Sequence, residues 1–120
     1  MGTGASQTGL GRSGSVDWQT SIKTSGFTAV NGEGYFCDTS SGAFSVTLPA
    51  SPSSGNIVAI KDYKFTADTA NITINRNGSN IQGTATNYII NGEGDSIVLV
   101  YADSTQGWLV VDRDWETCNL

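Results

Sequence analysis

The sequence predicts an all-β chain: a compact antiparallel β-sandwich or barrel-like domain with a flexible Gly/Ser-rich N-terminal arm. Three observations predict it. Gly, Ser, Thr and Asn are abundant, with 15 glycines in 120 residues, and only 14% of residues are charged. That is the composition of a turn-rich β-protein. Short β-branched and aromatic runs recur at about 8–12-residue spacing, with turn residues between them. No long window carries a helical apolar period, so no helix of consequence is expected.

Residues 1–15 are nearly all Gly, Ser, Thr and Gln, with one Leu and one Arg. Such a segment cannot bury enough apolar area to offset its ordering entropy, so it is expected to be a mobile arm. The β-domain is expected over 16–114, with a tail at 115–120. Strands are predicted at 16–22, 27–30, 34–38, 43–48, 56–62, 71–75, 88–91, 96–102 and 108–112. The fourth alternates, Phe44, Val46 and Leu48 opposing Ser45 and Thr47; in the sixth, Ile72 and Ile74 oppose Thr73 and Asn75. One face of each is therefore apolar. Pro49 and Pro52 end the fourth strand. The eighth, Ile97-Val98-Leu99-Val100-Tyr101, is apolar on both faces. A central strand covered by a second sheet and by a neighbouring subunit or loop reads this way. Asn31-Gly32, Asn77-Gly78 and Asn91-Gly92 are expected to form two-residue hairpin turns, for which they supply positive φ. Val30-Asn31-Gly32-Glu33-Gly34 is echoed by Ile90-Asn91-Gly92-Glu93-Gly94, marking either two pseudo-equivalent hairpins or a coincidence of Gly/Asn-rich composition.

Several function classes lose support. Six basic residues face eleven acidic ones, a net charge of −5 without any basic run. An electrostatic grip on nucleic acid or anionic membrane is not expected. No apolar stretch approaches a membrane span, and no signal peptide is evident. Gly2 and Ser6 satisfy the short myristoylation pattern, inside a segment that reads better as an arm. Gly9-Leu10-Gly11-Arg12-Ser13-Gly14 satisfies G-x-G-x-x-G, but neither the buried strand before it nor the helix after it is predicted. The chain has no histidine, which removes imidazole-based hydrolytic triads and most zinc sites. Glu33 and Glu93 could in principle serve as two glycosidase carboxylates; each sits between glycines where a solvated turn is expected. Asp38, Asp62, Asp68 and Asp103 lack EF-hand spacing. No enzyme, cofactor or metal is expected. A Cys37–Cys118 bridge would contribute about 4 kcal/mol, but a buried thiol and a tail thiol, both reduced, are the simpler expectation.

The run Val46-Thr47-Leu48-Pro49-Ala50-Ser51-Pro52, then Arg76-Asn77-Gly78-Ser79-Asn80-Ile81, then Gly107-Trp108-Leu109-Val110-Val111 resembles a small β-module of tailed-phage virion proteins, especially marine and cyanophage ones. The resemblance covers roughly residues 28–111, and GRSGSVDW (residues 11–18) looks like the module's Gly-rich lead-in. It implies a non-enzymatic virion structural protein, made in the bacterial cytoplasm and assembling as a homotrimer. Capsid decoration, against the major capsid protein or other virion proteins, is the leading role. A tail-fibre or appendage module contacting a host receptor is the alternative. The lack of any recognisable β-helical or coiled-coil shaft counts against a complete fibre. A carbohydrate-binding module, with a host surface glycan as ligand, is the alternative from another class. It needs two or three exposed aromatics in one patch, for which Trp18 and Trp115 are the candidates. Trp108 is expected in the core. Tyr35, Phe36, Phe44, Phe65 and Tyr101 are expected inside or at a subunit contact. An arm docking on a partner needs apolar or bidentate anchors: Leu10, Arg12, Val16 and Trp18, unless Val16 and Trp18 merely close the domain's own edge. Trp115 and Leu120 are candidates for packing across a subunit boundary.

Overall fold

The computed structural model describes residues 16–113. Nine strands form, each coinciding with one predicted segment: β1 (Asp17–Trp18), β2 (Phe27–Thr28), β3 (Glu33–Cys37), β4 (Phe44–Thr47), β5 (Ile57–Asp62), β6 (Ile72–Asn75), β7 (Tyr88–Ile90), β8 (Ser96–Asp103) and β9 (Gly107–Arg113). β1 and β2 are shorter than predicted. No helix occurs among the described residues.

The strands make two mixed sheets, ordered β1-β3-β5-β8-β9 and β2-β4-β6-β7; these are called A and B below. From β1 to β6 the chain alternates between them, and every pairing along that path is parallel: β1 with β3, β3 with β5, β2 with β4, β4 with β6. The first six strands therefore form three stacked coils, each laying one strand on either sheet. Only then does the chain turn antiparallel, with β6–β7, β5–β8 and the β8–β9 hairpin.

This corrects the antiparallel expectation, and the Asn-Gly turns show why it failed. Gly32 takes the positive φ foreseen for it, 91°. Yet the turn carries the chain from β2 in one sheet to β3 in the other, while Asn31 Oδ1 accepts the Ile57 amide at 2.9 Å. Asn91-Gly92 likewise carries the chain from β7 across to β8. The two NGEG echoes thus mark equivalent B-to-A crossings rather than hairpins. Asn77-Gly78 has both residues at positive φ, 48° and 89°, but β7 begins only at Tyr88. A turn signal specifies local dihedrals and leaves open which sheet the next strand joins. For strands of four to six residues with one apolar face, crossing buries those faces against one another.

The stack's two ends differ. At the β9 edge, segment 80–82 fills the ladder positions: Asn80 O accepts from Trp108 N at 2.9 Å, and Gln82 N donates to Trp108 O at 2.8 Å. The Gln82 side chain then accepts the Val110 amide at 3.0 Å, completing a cover over an exposed edge. Gly107, at φ 72°, has no room for a Cβ against the Asn80 carbonyl. At the other end, no strand lies beyond β1 and β2 among the described residues.

One core joins both sheets. Val46, Ile72, Ile74 and Ile90 come from B; Tyr35, Cys37, Val58, Ile60, Ile97, Leu99 and Trp108 come from A. Trp108 is fully buried as expected, and its indole Nε1 has no hydrogen-bond partner among the described residues. Cys37 is a free buried thiol; burial pushes its pKa up to about 12. β8 lies between β5 and β9, the interior position its apolar run predicts.

Candidate functional site

In-register neighbours in a sheet share a face, so three cross-strand rows on the outer side of sheet A can be read off the pairing. The first is Phe36, Lys61 and Ser96. The second is Trp18, Gly34, Ala59, Val98 and Asp112. The third is Ile57, Val100 and Leu109. None belongs to the core cluster, yet most are apolar. The corresponding rows on sheet B are Thr28, Thr47 and Asn75, then Ser45, Thr73 and Ile89. That face is polar except at Ile89.

The first two rows of sheet A carry an aromatic patch. Trp18 stacks on Phe36 with centroids 4.9 Å apart and planes 21° apart. Phe36 in turn meets Tyr63 edge-on at 6.5 Å. Trp18 gains its place because Gly34 has no side chain: a Cβ there would come within 2.8 Å of both the Trp18 indole and Val16. Beside them, a groove of about 340 Å³ opens between Trp18, Phe36, Lys61, Ser96, Val98 and Asp112. Lys61 Nζ donates to Gly94 O at 2.6 Å and sits 5.2 Å from the centre of the Phe65 ring.

Tyr63 and Phe65 lie on a loop held from beneath. Asp62 is fully buried, and its carboxylate accepts amides from Thr66 at 3.3 Å, Ala67 at 3.0 Å and Gly94 at 2.9 Å. Three backbone donors around a buried carboxylate fix both loops against each other. Phe65 sits at φ 60°, a conformation costly for a bulky side chain. Its ring lies over Gly94, where a Cβ would collide with it. Tyr63 and Phe65 remain 46% and 54% exposed, and Trp18 39%.

No family model matches the chain, and no curated protein matches it.

Of the predicted contact residues, Val16 and Trp18 pack over Gly34 at the edge strand β1, with Trp18 still open to solvent. Leu10, Arg12, Trp115 and Leu120 lie outside the described residues, as do the G-x-G-x-x-G run, Gly2, Ser6 and Cys118. Trp18 meets Phe36 and Tyr63 in the patch, a grouping the sequence reading missed. Phe65, expected inside or at a subunit contact, is exposed to solvent. The signal was there: Asp62-Tyr63-Lys64-Phe65 alternates polar and aromatic residues directly after a strand, in a segment with turn composition. Phe44 and Tyr101 are partly buried against the core and Tyr35 fully buried, as predicted.

Several of the candidate carboxylates are engaged by local donors. Glu33 is in β3, not a turn, and accepts the Tyr35 hydroxyl at 2.7 Å. It sits at the Val58 end of the β3–β5 pairing, whereas Glu93 neighbours Gly94 at the Asp62 end. The pairing therefore places them at opposite ends of these strands. Asp38 accepts from Ser40 and is held below the usual carboxylate range by those hydrogen bonds. Asp103 accepts from the Thr105 and Gln106 amides. Among the described residues, no three Cys, Asp or Glu side chains converge as a metal site.

Proposed function

We propose that this chain is a non-enzymatic structural module of a tailed-phage particle, serving in a tail fibre or other appendage and assembling with copies of itself. One observation carries the choice of appendage: β1 to β6 coil in parallel register between two sheets. Parallel coils stack by adding rungs at an end, and a terminal unit with a covered edge stops the stack. Here the β9 end is covered by Asn80 and Gln82, and the coils run towards the β1/β2 end. A short, sandwich-like stack of coils closed at one end suits the tip of an elongated assembly. The head-decoration reading rests on the resemblance alone.

Self-assembly draws support from the third outer row of sheet A. Ile57, Val100 and Leu109 make an aliphatic strip beside Val111, which is 58% exposed. A homotrimer placing these strips together would cover an apolar surface that a monomer leaves in water.

Particles that carry the chain provide the test. Gold-labelled antibody raised against the folded protein is expected to mark tail appendages. Labelling of heads would overturn the appendage assignment, and absence from disrupted, purified particles would overturn the virion reading altogether. Light scattering on a sizing column is expected to give three times the 12.6 kDa chain mass. A monomer at high concentration would sink self-assembly.

A further inference from the structure

We propose that Trp18, Phe36, Tyr63 and Phe65, with the groove beside them, form a binding site for a neutral hexose polysaccharide. The inference rests on the appendage reading, in which the tip meets a surface. Its own support is the grouping of the aromatics. Among the described residues, Trp18, Tyr63 and Phe65 are three of the six exposed large hydrophobic ones, and they surround Phe36 and Lys61 on one end of one sheet face. Sheet B offers no counterpart. Aromatic faces carry partial negative charge and attract the weakly positive C–H face of a pyranose. Ring hydroxyls then need polar partners at the edge, and Ser96 and Asp112 line the same groove.

The volume and the charge narrow the ligand. At about 340 Å³ the groove is at the small end of ligand sites, which suits one or two sugar rings of a longer chain. The chain carries a net charge of −5, and Asp112 puts an anion on the rim. Lys61, the cation lining the groove among the described residues, is engaged by the Gly94 carbonyl and the Phe65 ring. A neutral glycan meets neither the repulsion of Asp112 nor competition with the contacts that already hold Lys61. The loop itself is prepared for contact. Asp62 holds its backbone, Phe65 keeps a strained φ of 60°, and so two aromatics are displayed with little freedom left to lose on binding.

Linear hexasaccharides of glucose, mannose and galactose, titrated singly into the full ¹⁵N-labelled chain at millimolar concentration, test the site by amide shifts. At least one is expected to bind, with shifts confined to residues around Trp18, Phe36, Lys61, Tyr63 and Phe65. Tyr63→Ala and Phe65→Gly should each weaken that binding about tenfold, in line with truncating one contact aromatic. Glycine is chosen at position 65 because it accepts positive φ. Ile89→Ala, on the outer face of sheet B, should change nothing. Shifts from none of the sugars, or shifts elsewhere on the fold, would overturn the site. So would Tyr63→Ala lowering the mass in solution while leaving sugar affinity intact, because a second copy would then occupy the patch. Particle labelling decides the appendage reading independently of all these outcomes.

Discussion

The two sheets bury the same kind of inner face and present opposite outer ones. Inward, Val46, Ile72, Ile74 and Ile90 on sheet B answer Val58, Ile60, Ile97 and Leu99 on sheet A. Outward, sheet B shows Thr28, Ser45, Thr47, Thr73 and Asn75 with one apolar residue, Ile89, while sheet A shows Trp18, Phe36, Ile57, Val98, Val100 and Leu109 beside Lys61, Ser96 and Asp112. The inner faces account for folding. The outer faces differ in what they ask of their surroundings: B is polar but for Ile89, and A carries a run of half-buried apolar side chains with Trp18 exposed at its edge. A soluble sheet with no second task would look like B on both sides.

The largest effects should separate inside from outside on a single strand. Leu99→Ala removes a fully buried side chain and is expected to cost about 2–5 kcal/mol by urea unfolding. Val98→Ala, one residue earlier and facing out, should cost under about 1 kcal/mol in the dilute protein. If the Val98 variant instead loses as much as Leu99, and the loss grows with protein concentration, the outer face is already covered by another copy.

Alkali should discriminate between the inner faces as well. Sheet A buries Tyr35 and Cys37, whereas the fully buried strand residues of sheet B are aliphatic and its Tyr88 is only partly buried. Burial raises Cys37 from 9.0 to about 12 and Tyr35, with help from its hydrogen bond to Glu33, from 10.0 to about 12. Below pH 9 both groups are protonated whether folded or unfolded, and their contribution to stability is fully present. Between pH 9 and about 12 the unfolded chain releases protons that the folded one keeps, so stability falls with rising pH. Each group contributes a slope of at most about 1.4 kcal/mol per unit. Urea midpoints across that window should show the fall, and Cys37→Ala should remove the earlier part of it. A fall unchanged in Cys37→Ala would mean the thiol is not shielded as its burial indicates.

Converting sheet A towards sheet B comes next. Val100→Thr with Leu109→Thr replaces two outward aliphatics and should leave unfolding free energy within about 1 kcal/mol. The expected change is in mass: trimer to monomer by light scattering. A trimer that survives the double substitution would move the self-contact away from the aliphatic row.

Local residue patterns explain how much of this was legible. All nine strands follow from β-branched runs and turn residues, and the core follows from alternation, as at Ile72 and Ile74. The order of strands does not. Asn31-Gly32 fixes a positive φ at Gly32, but whether the next strand pairs with its predecessor or crosses to the other sheet depends on contacts made tens of residues later, such as Asn31 Oδ1 with the Ile57 amide. The aromatic patch was hidden for the same reason. Trp18, Phe36 and Tyr63 come from three separate coils, and only the parallel register brings them together. Phe65 read as interior or at a subunit contact because large aromatics usually are; its exposure on this chain follows from the Asp62 clamp, which is formed with an amide 32 residues away.

The smallest effect expected is on sheet B, and it is the sharpest control on the comparison. Thr73 faces outward, half-buried between Ser45 and Ile89. Thr73→Val keeps its shape and its β-branch while replacing a hydroxyl with a methyl. With water able to reach that face, unfolding free energy should stay within about 0.5 kcal/mol, and mass in solution should not change. If one added methyl on sheet B raised self-association, the polarity of that face would itself be keeping copies apart. The two outer faces would then differ in which contacts they forbid as well as in which they make.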